Sequence, residues 1–68
     1  MNATAPRASL AHQAYLALEQ RIVTGRLAPG LWLTEAEIGQ QLGLGRTPVR
    51  EALQRLALEH MVEIVPRR

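Results

Sequence analysis

The sequence of 68 residues contains no cysteine, no lysine and no aspartate. The lack of cysteine excludes disulfides, cysteine-based zinc fingers and thiol catalysis. No run of about eighteen apolar residues is present, and residues 1–9 lack the charged start and apolar core of a secretory signal. Because neither a membrane span nor a secretory signal is visible, we expect a cytoplasmic protein.

Size and charge limit the possible functions further. Eight arginines stand against six glutamates, so the net charge is +2, a mild basic bias that permits nucleic-acid binding without proving it. A chain of this length forms at most one small domain, which buries only about 60% of its unfolded surface. His12 and His60 are far apart with no carboxylate cluster between them, so we predict neither a metal site nor another cofactor.

The first part of the chain predicts a tail and a helix. We expect residues 1–9 to be a disordered tail and residues 10–68 to form the folded domain. Ser9 is the predicted N-cap of a first helix, and Gly25 closes that helix. Apolar residues at helical spacing predict one buried stripe, formed by Ala11, Ala14, Tyr15, Leu18 and Ile22.

A turn and a strand are predicted next. Pro29 and Gly30 favour a type II turn, because Pro presets φ at its second position and Gly accepts the positive φ at its third. Residues 31–33 are predicted as a short strand. We interpret Trp32 as a cover over the core beside the second helix rather than as a base-stacking residue.

The second helix has strong local signals at both ends. Thr34 and Glu37 predict a capping box, and Gly43 is the predicted end of the helix. Gly39 costs roughly 1 kcal/mol of helix propensity relative to Ala. We therefore expect another helix backbone to cross closely at Gly39.

A third helix over residues 46–58 divides into two faces. Gly45 or Thr47 is its N-cap, and Pro48 fits its first turn. The apolar face comprises Val49, Ala52, Leu53 and Leu56, and the polar face comprises Arg46, Thr47, Arg50 and Gln54.

Two short helices joined by a glycine turn, with two arginines at the start of the second, are typical of a helix-turn-helix. Arginine there can pair with guanine O6 and N7 in the major groove. A lone exposed arginine is more often simply solvated, but three polar groups at this position favour DNA binding.

For Glu51, an ion pair with Arg50 or Arg55 is simpler than a catalytic role. No nucleophile and base pair occurs, so we predict that the chain is not an enzyme.

Residues 59–68 resemble the first half of a β-wing. They predict a turn, a strand with Val62 and Ile64 on one face, and a basic end where Arg67 and Arg68 are expected to meet phosphate. The returning strand would lie beyond residue 68. The predicted fold is therefore mainly α with a small β-wing, a winged helix-turn-helix with a three-helix core and a wing truncated at the C-terminus.

Residues 10–68 resemble the winged helix-turn-helix of GntR-family bacterial transcription regulators. The run Arg46–Leu53 is the most specific part, and with Pro66-Arg67-Arg68 it is similar to the branch whose C-terminal domain is the all-helical ligand-binding FCD bundle. The resemblance also rests on residues 27–30, 33–38, 42–43 and 62–63.

The resemblance implies a DNA-binding role with named contacts. Arg46 and Arg50 are implied at base edges and Thr47 at phosphate. Gly45 stands where members often have a phosphate-binding Ser or Thr, and His60 stands where they usually have Gly. A homodimer on a palindromic operator is implied, with dimerisation and a small-molecule effector in a C-terminal domain absent from this chain.

Two alternatives belong to other functional classes. A winged helix can serve as a protein-interaction module, which predicts indifference to DNA and to mutation of Arg50. Some GntR-type domains are instead the N-terminal part of an enzyme with an aminotransferase-like domain. Sequence beyond residue 68 would discriminate between these hypotheses.

Overall fold

The computed structural model describes the backbone of residues 7–65 and the side chains of residues 10–65. This part of the chain forms three helices, α1 (Arg7–Val23), α2 (Glu35–Leu42) and α3 (Arg46–Leu58). Both α1 and α2 pack against α3, so α3 is the central element. None of the helices described in residues 7–65 is both long and apolar enough to cross a bilayer.

The first helix starts earlier than predicted. It begins at Arg7, so the prediction of Ser9 as its N-cap is wrong. Arginine and alanine are good helix formers, and nothing in residues 7–9 interrupts the helix. Residues 7–9, which were predicted as part of the disordered tail, are therefore helical, and the rest of the predicted tail, residues 1–6, lies outside the described residues. At the other end the helix stops at Val23, and Gly25 takes the expected positive φ of 81°.

One apolar core joins the three helices. Val49 and Leu56 on α3 are its largest fully buried side chains, and burying each contributes about 1.5–3 kcal/mol. These residues fix one side of α3 against the core, so the opposite side must face solvent. The complete buried cluster consists of Ala14, Tyr15, Leu18, Ile38, Val49, Ala52 and Leu56.

The capping box at the start of α2 is confirmed. The Glu37 backbone N–H donates to Thr34 Oγ1 at 3.0 Å, and the Thr34 N–H donates to Glu37 Oε1 at 2.8 Å. The helix ends at Gly43, which has φ 70° and donates its N–H to the Gly39 carbonyl. Both ends of α2 are therefore set by hydrogen bonds that the sequence predicts.

Gly39 is needed for a different reason from the one predicted. A Cβ atom at Gly39 would lie 2.6 Å from the Leu44 carbonyl oxygen. The Leu44 N–H also donates to the Gly39 carbonyl at 3.0 Å. The close neighbour is thus the turn that follows α2, and the prediction of a crossing helix backbone is wrong.

His60 ends α3 in a left-handed conformation, with φ 63°. The His60 N–H donates to the Ala57 carbonyl at 3.0 Å, and the Met61 N–H donates to the Leu56 carbonyl at 2.9 Å. These two bonds define a Schellman motif. Histidine here occupies the backbone region that most often belongs to glycine.

Neither predicted strand is present in the described residues. The turn before the first one is confirmed, since the Leu31 N–H donates to the Ala28 carbonyl at 3.2 Å and Gly30 has φ 82°. However, residues 31–33 and 62–65 are irregular, because a strand is stable only when it pairs with a neighbour. Trp32 is 75% exposed, so its predicted role as a cover over the core is wrong.

Candidate nucleic-acid interface

The helices α2 and α3 form a helix-turn-helix. Residues 43–45 connect them, a three-residue turn of the length that this motif requires. Helix α3 has 13 residues and is therefore about 20 Å long. A single helix of this kind fits the major groove of B-DNA, which is about 12 Å wide.

The predicted contact residues of α3 all face outward. Val49 and Ala52 point into the core, whereas the polar face is exposed at every position. This arrangement confirms the predicted division of α3 into a core face and a polar face. The exposed positions are Gly45, Arg46, Thr47, Arg50 and Gln54.

The N-cap of α3 is Gly45, which settles the choice left open between Gly45 and Thr47. Gly45 has extended backbone angles, φ −75° and ψ 173°, and no side chain bonds the first turn. The backbone amides of Arg46 and Thr47 are therefore not capped by a side chain. Amides in the first turn of a helix can bind phosphate.

Arg50 forms an ion pair with Glu35 at the start of α2. Its Nε and Nη2 atoms donate to Oε2 and Oε1 of Glu35, each at 3.0 Å. The Arg50 side chain is 55% exposed and that of Glu35 is 33% exposed. This bidentate pair raises the pKa of Arg50 and lowers the pKa of Glu35.

Sequence reasoning missed this pair. Glu35 and Arg50 are 15 positions apart in the sequence, and their side chains meet only after α2 folds against α3, so spacing alone does not identify the pair. The sequence instead predicts an arginine partner within α3, at Glu51. Arg50 pairs with Glu35, and Arg55 lies near Glu59. The ion pair predicted for Glu51 stays a prediction.

Arg55 belongs to a separate cluster that joins α1 to the end of α3. Its guanidinium carbon lies 3.8 Å from the centre of the Tyr15 ring, and its Nε lies 3.8 Å from a Glu59 oxygen. Tyr15 donates its hydroxyl to Glu59 at 2.6 Å. The pKa of Tyr15 is raised to about 12, mainly by this hydrogen bond and next by burial of the ring. Arg55 therefore packs against α1 and does not share the exposed face of Arg46 and Arg50.

Other predicted sites have different outcomes. Arg67 and Arg68 lie outside the described residues, so their phosphate contacts stay predictions. The side chains of residues 10–65 include no group of three or more metal-binding residues that could hold an ion. The exposed face of α3 carries guanidinium, hydroxyl and amide groups, which are the donors and acceptors that proteins use on phosphates and base edges.

Comparison with known proteins places this geometry in a family. The model described as "Bacterial regulatory proteins, gntR family" matches residues 10–68. An uncharacterized HTH-type transcriptional regulator in an unstable DNA locus of Streptomyces ambofaciens is 47% identical over 53 residues, covering 78% of this chain. The HTH-type transcriptional repressor RspR of Escherichia coli is 37% identical over 63 residues, covering 93% of this chain.

The relatives are considerably longer than this chain. The matched region covers 22% of the Streptomyces protein and 28% of RspR. Both names describe transcription regulators and neither describes an enzyme. No solved structure matches the chain.

Proposed function

Because the chain belongs to the GntR family of bacterial regulatory proteins, we propose that it is the sequence-specific DNA-binding domain of a ligand-responsive transcription regulator. It is a DNA-binding regulatory domain and not an enzyme. The domain acts in the cytoplasm, as a homodimer on a palindromic operator. Dimerisation and small-molecule binding belong to a further domain of the FCD type outside this chain.

The observation that carries the proposal is the exposed face of α3. Arg46 and Arg50 are one helical turn apart and both are exposed, so they can enter one groove together. Bidentate pairing of arginine with guanine O6 and N7 is the commonest specific contact in that groove. We assign base contacts to Arg46 and Arg50 and leave Gln54 as a further candidate.

Phosphate contacts would hold α3 in the groove. Thr47 offers its hydroxyl and the uncapped first-turn amides offer N–H donors, with Gly45 allowing close approach of the backbone. Arg67 and Arg68 are proposed to contact phosphate from the base of the wing. Contacts of this kind position a protein on DNA but carry no sequence information.

The test is to select bound sequences from a randomised library of DNA duplexes with the full-length protein. We expect a palindromic motif. Arg50→Ala should weaken binding to it by about 1–3 kcal/mol and relax the base preference at one position of each half-site. Arg67→Ala should weaken binding to all sequences alike and reduce the salt slope by about one.

Arg55→Ala is the matched control, because Arg55 lies on the same helix but against Tyr15. Its base preferences should equal those of the wild type, and thermal unfolding would check that both variants fold. If the folded protein enriched no DNA sequence, the result would favour the protein-interaction module. An equal loss on unrelated DNA would make Arg50 a phosphate contact.

A further inference from the structure

We propose that Glu35 is a positioning residue that determines specificity by acting through Arg50. The inference rests on the proposed function, since it assigns a second residue to the same DNA-reading surface. Glu35 lies on α2, outside the recognition helix α3. It is joined to Arg50 by two hydrogen bonds of 3.0 Å each.

The first step concerns which edge of the guanidinium is used. The guanidinium group has five N–H donors in a fixed planar arrangement. Glu35 accepts from Nε and Nη2 of Arg50, which is the side edge of the plane. The end edge, formed by Nη1 and the second Nη2 hydrogen, is not used in this pair. That end edge can still donate two parallel bonds to guanine O6 and N7.

The second step concerns the orientation of Arg50. A free arginine side chain is among those that lose the most rotamer freedom when they are fixed. The pair with Glu35 fixes the guanidinium plane before DNA arrives, although the side chain remains 55% exposed. Arg50 therefore meets the base edge in one orientation, which favours the base that fits this orientation over the others.

The third step concerns how Glu35 itself is held. It is the first residue of α2, immediately after Thr34, so the capping box fixes its backbone. A carboxylate at this end of a helix is also stabilised by the helix dipole. Glu35 is thus held on a rigid element rather than on a mobile loop.

The fourth step concerns charge. A carboxylate beside the DNA-facing arginines repels phosphate, so it lowers affinity for DNA of any sequence. Glu35 should consequently raise discrimination in two ways: it orients Arg50, and it opposes binding that depends on phosphates alone. A residue with a purely structural role would change stability without changing the preference between bases.

The experiment compares Glu35→Gln with the matched control Glu37→Gln in the full-length protein. Both changes remove one negative charge from the first turn of α2. Glu37→Gln leaves Arg50 paired and keeps an acceptor for the capping box, because Gln also serves at that position. The readout is the ratio of dissociation constants for the selected site and for sites altered at the Arg50-dependent base pair, with random-sequence DNA as a third ligand.

We expect Glu35→Gln to reduce this discrimination about three- to tenfold. This is smaller than the loss expected on removing a whole bidentate base contact, because Arg50 itself remains. Affinity for random-sequence DNA should stay the same or rise. Glu37→Gln should leave the discrimination unchanged. In an Arg50→Ala background, Glu35→Gln should have no further effect on discrimination.

Two results would overturn the inference while leaving the proposed function intact. One is that the discrimination of Glu35→Gln equals that of the wild type, although Arg50→Ala relaxes the base preference. The other is an effect of Glu35→Gln that persists in the Arg50→Ala background, because Glu35 would then not act through Arg50. If Arg50→Ala itself left base preference unchanged, base reading by Arg50 would fail and the inference would fail with it.

Discussion

Replacement of His60 by glycine should stabilise the domain. His60 has φ 63°, in the left-handed region, and its N–H and that of Met61 close the Schellman motif. Side chains with a Cβ atom are crowded in this conformation, whereas glycine is not. The His60 residue is exposed, so its removal leaves no cavity in the core.

The magnitude follows from two opposing terms. A residue with a Cβ atom pays roughly 1–2 kcal/mol in the left-handed region. Glycine loses about 0.4–1 kcal/mol through its greater freedom in the unfolded chain. Histidine tolerates this region better than most residues, so its penalty lies at the lower end. The expected net gain in the free energy of unfolding is therefore small, up to about 0.6 kcal/mol.

Thermal unfolding followed by circular dichroism measures this gain. For a domain of this size, a gain of up to about 0.6 kcal/mol corresponds to a rise in Tm of up to about 5 °C. His60→Val is the control with the opposite sign, because a β-branched residue is a genuine outlier at positive φ. If the wild type, His60→Gly and His60→Val had equal free energies of unfolding, backbone strain at His60 would be absent.

Two further predictions concern hydrogen bonds within the fold. Thr34→Ala should lower the free energy of unfolding by about 1 kcal/mol, because it removes the N-cap acceptor of Glu37; chemical denaturation measures the loss, and an unchanged midpoint would contradict it. The single tyrosine, Tyr15, should ionise near pH 12 when its phenolate absorbance is titrated, and Glu59→Gln should lower this pKa toward 10 because the hydrogen bond to Glu59 is the main cause of the shift. Since the folded pKa is raised, the stabilisation from the Tyr15–Glu59 bond is complete below about pH 10 and is lost as the pH rises through about 12; a Tyr15 pKa near 10 in the folded wild type would refute this.

Features that depend on neighbouring residues could be predicted from the sequence. The Thr34–Glu37 capping box and the Pro29-Gly30 turn are confirmed, because the residue types that make these bonds are within a few positions of each other. Helical spacing also identified the buried face of α3, since one side of a helix repeats in the sequence itself.

Features that depend on distant partners were not predicted. Residues 31–33 have a strand-like composition, but a strand needs a paired neighbour, which residues 7–65 do not supply. Trp32 consequently stays exposed instead of covering the core. At Gly39 the sequence indicated a close approach, but it did not identify the Leu44 carbonyl as the atom that comes near.

The candidate site combines both kinds of feature. The outward direction of Arg46 and Arg50 follows from local periodicity, because their helix buries Val49 and Ala52 on the other side. The partner of Arg50 follows only from the packing of α2 on α3. The capping box at Thr34 begins α2 one residue before Glu35, so a hydrogen bond that stabilises the fold also sets the position of the carboxylate. Stability at the start of α2 and the orientation of the DNA-facing Arg50 are therefore linked through Glu35.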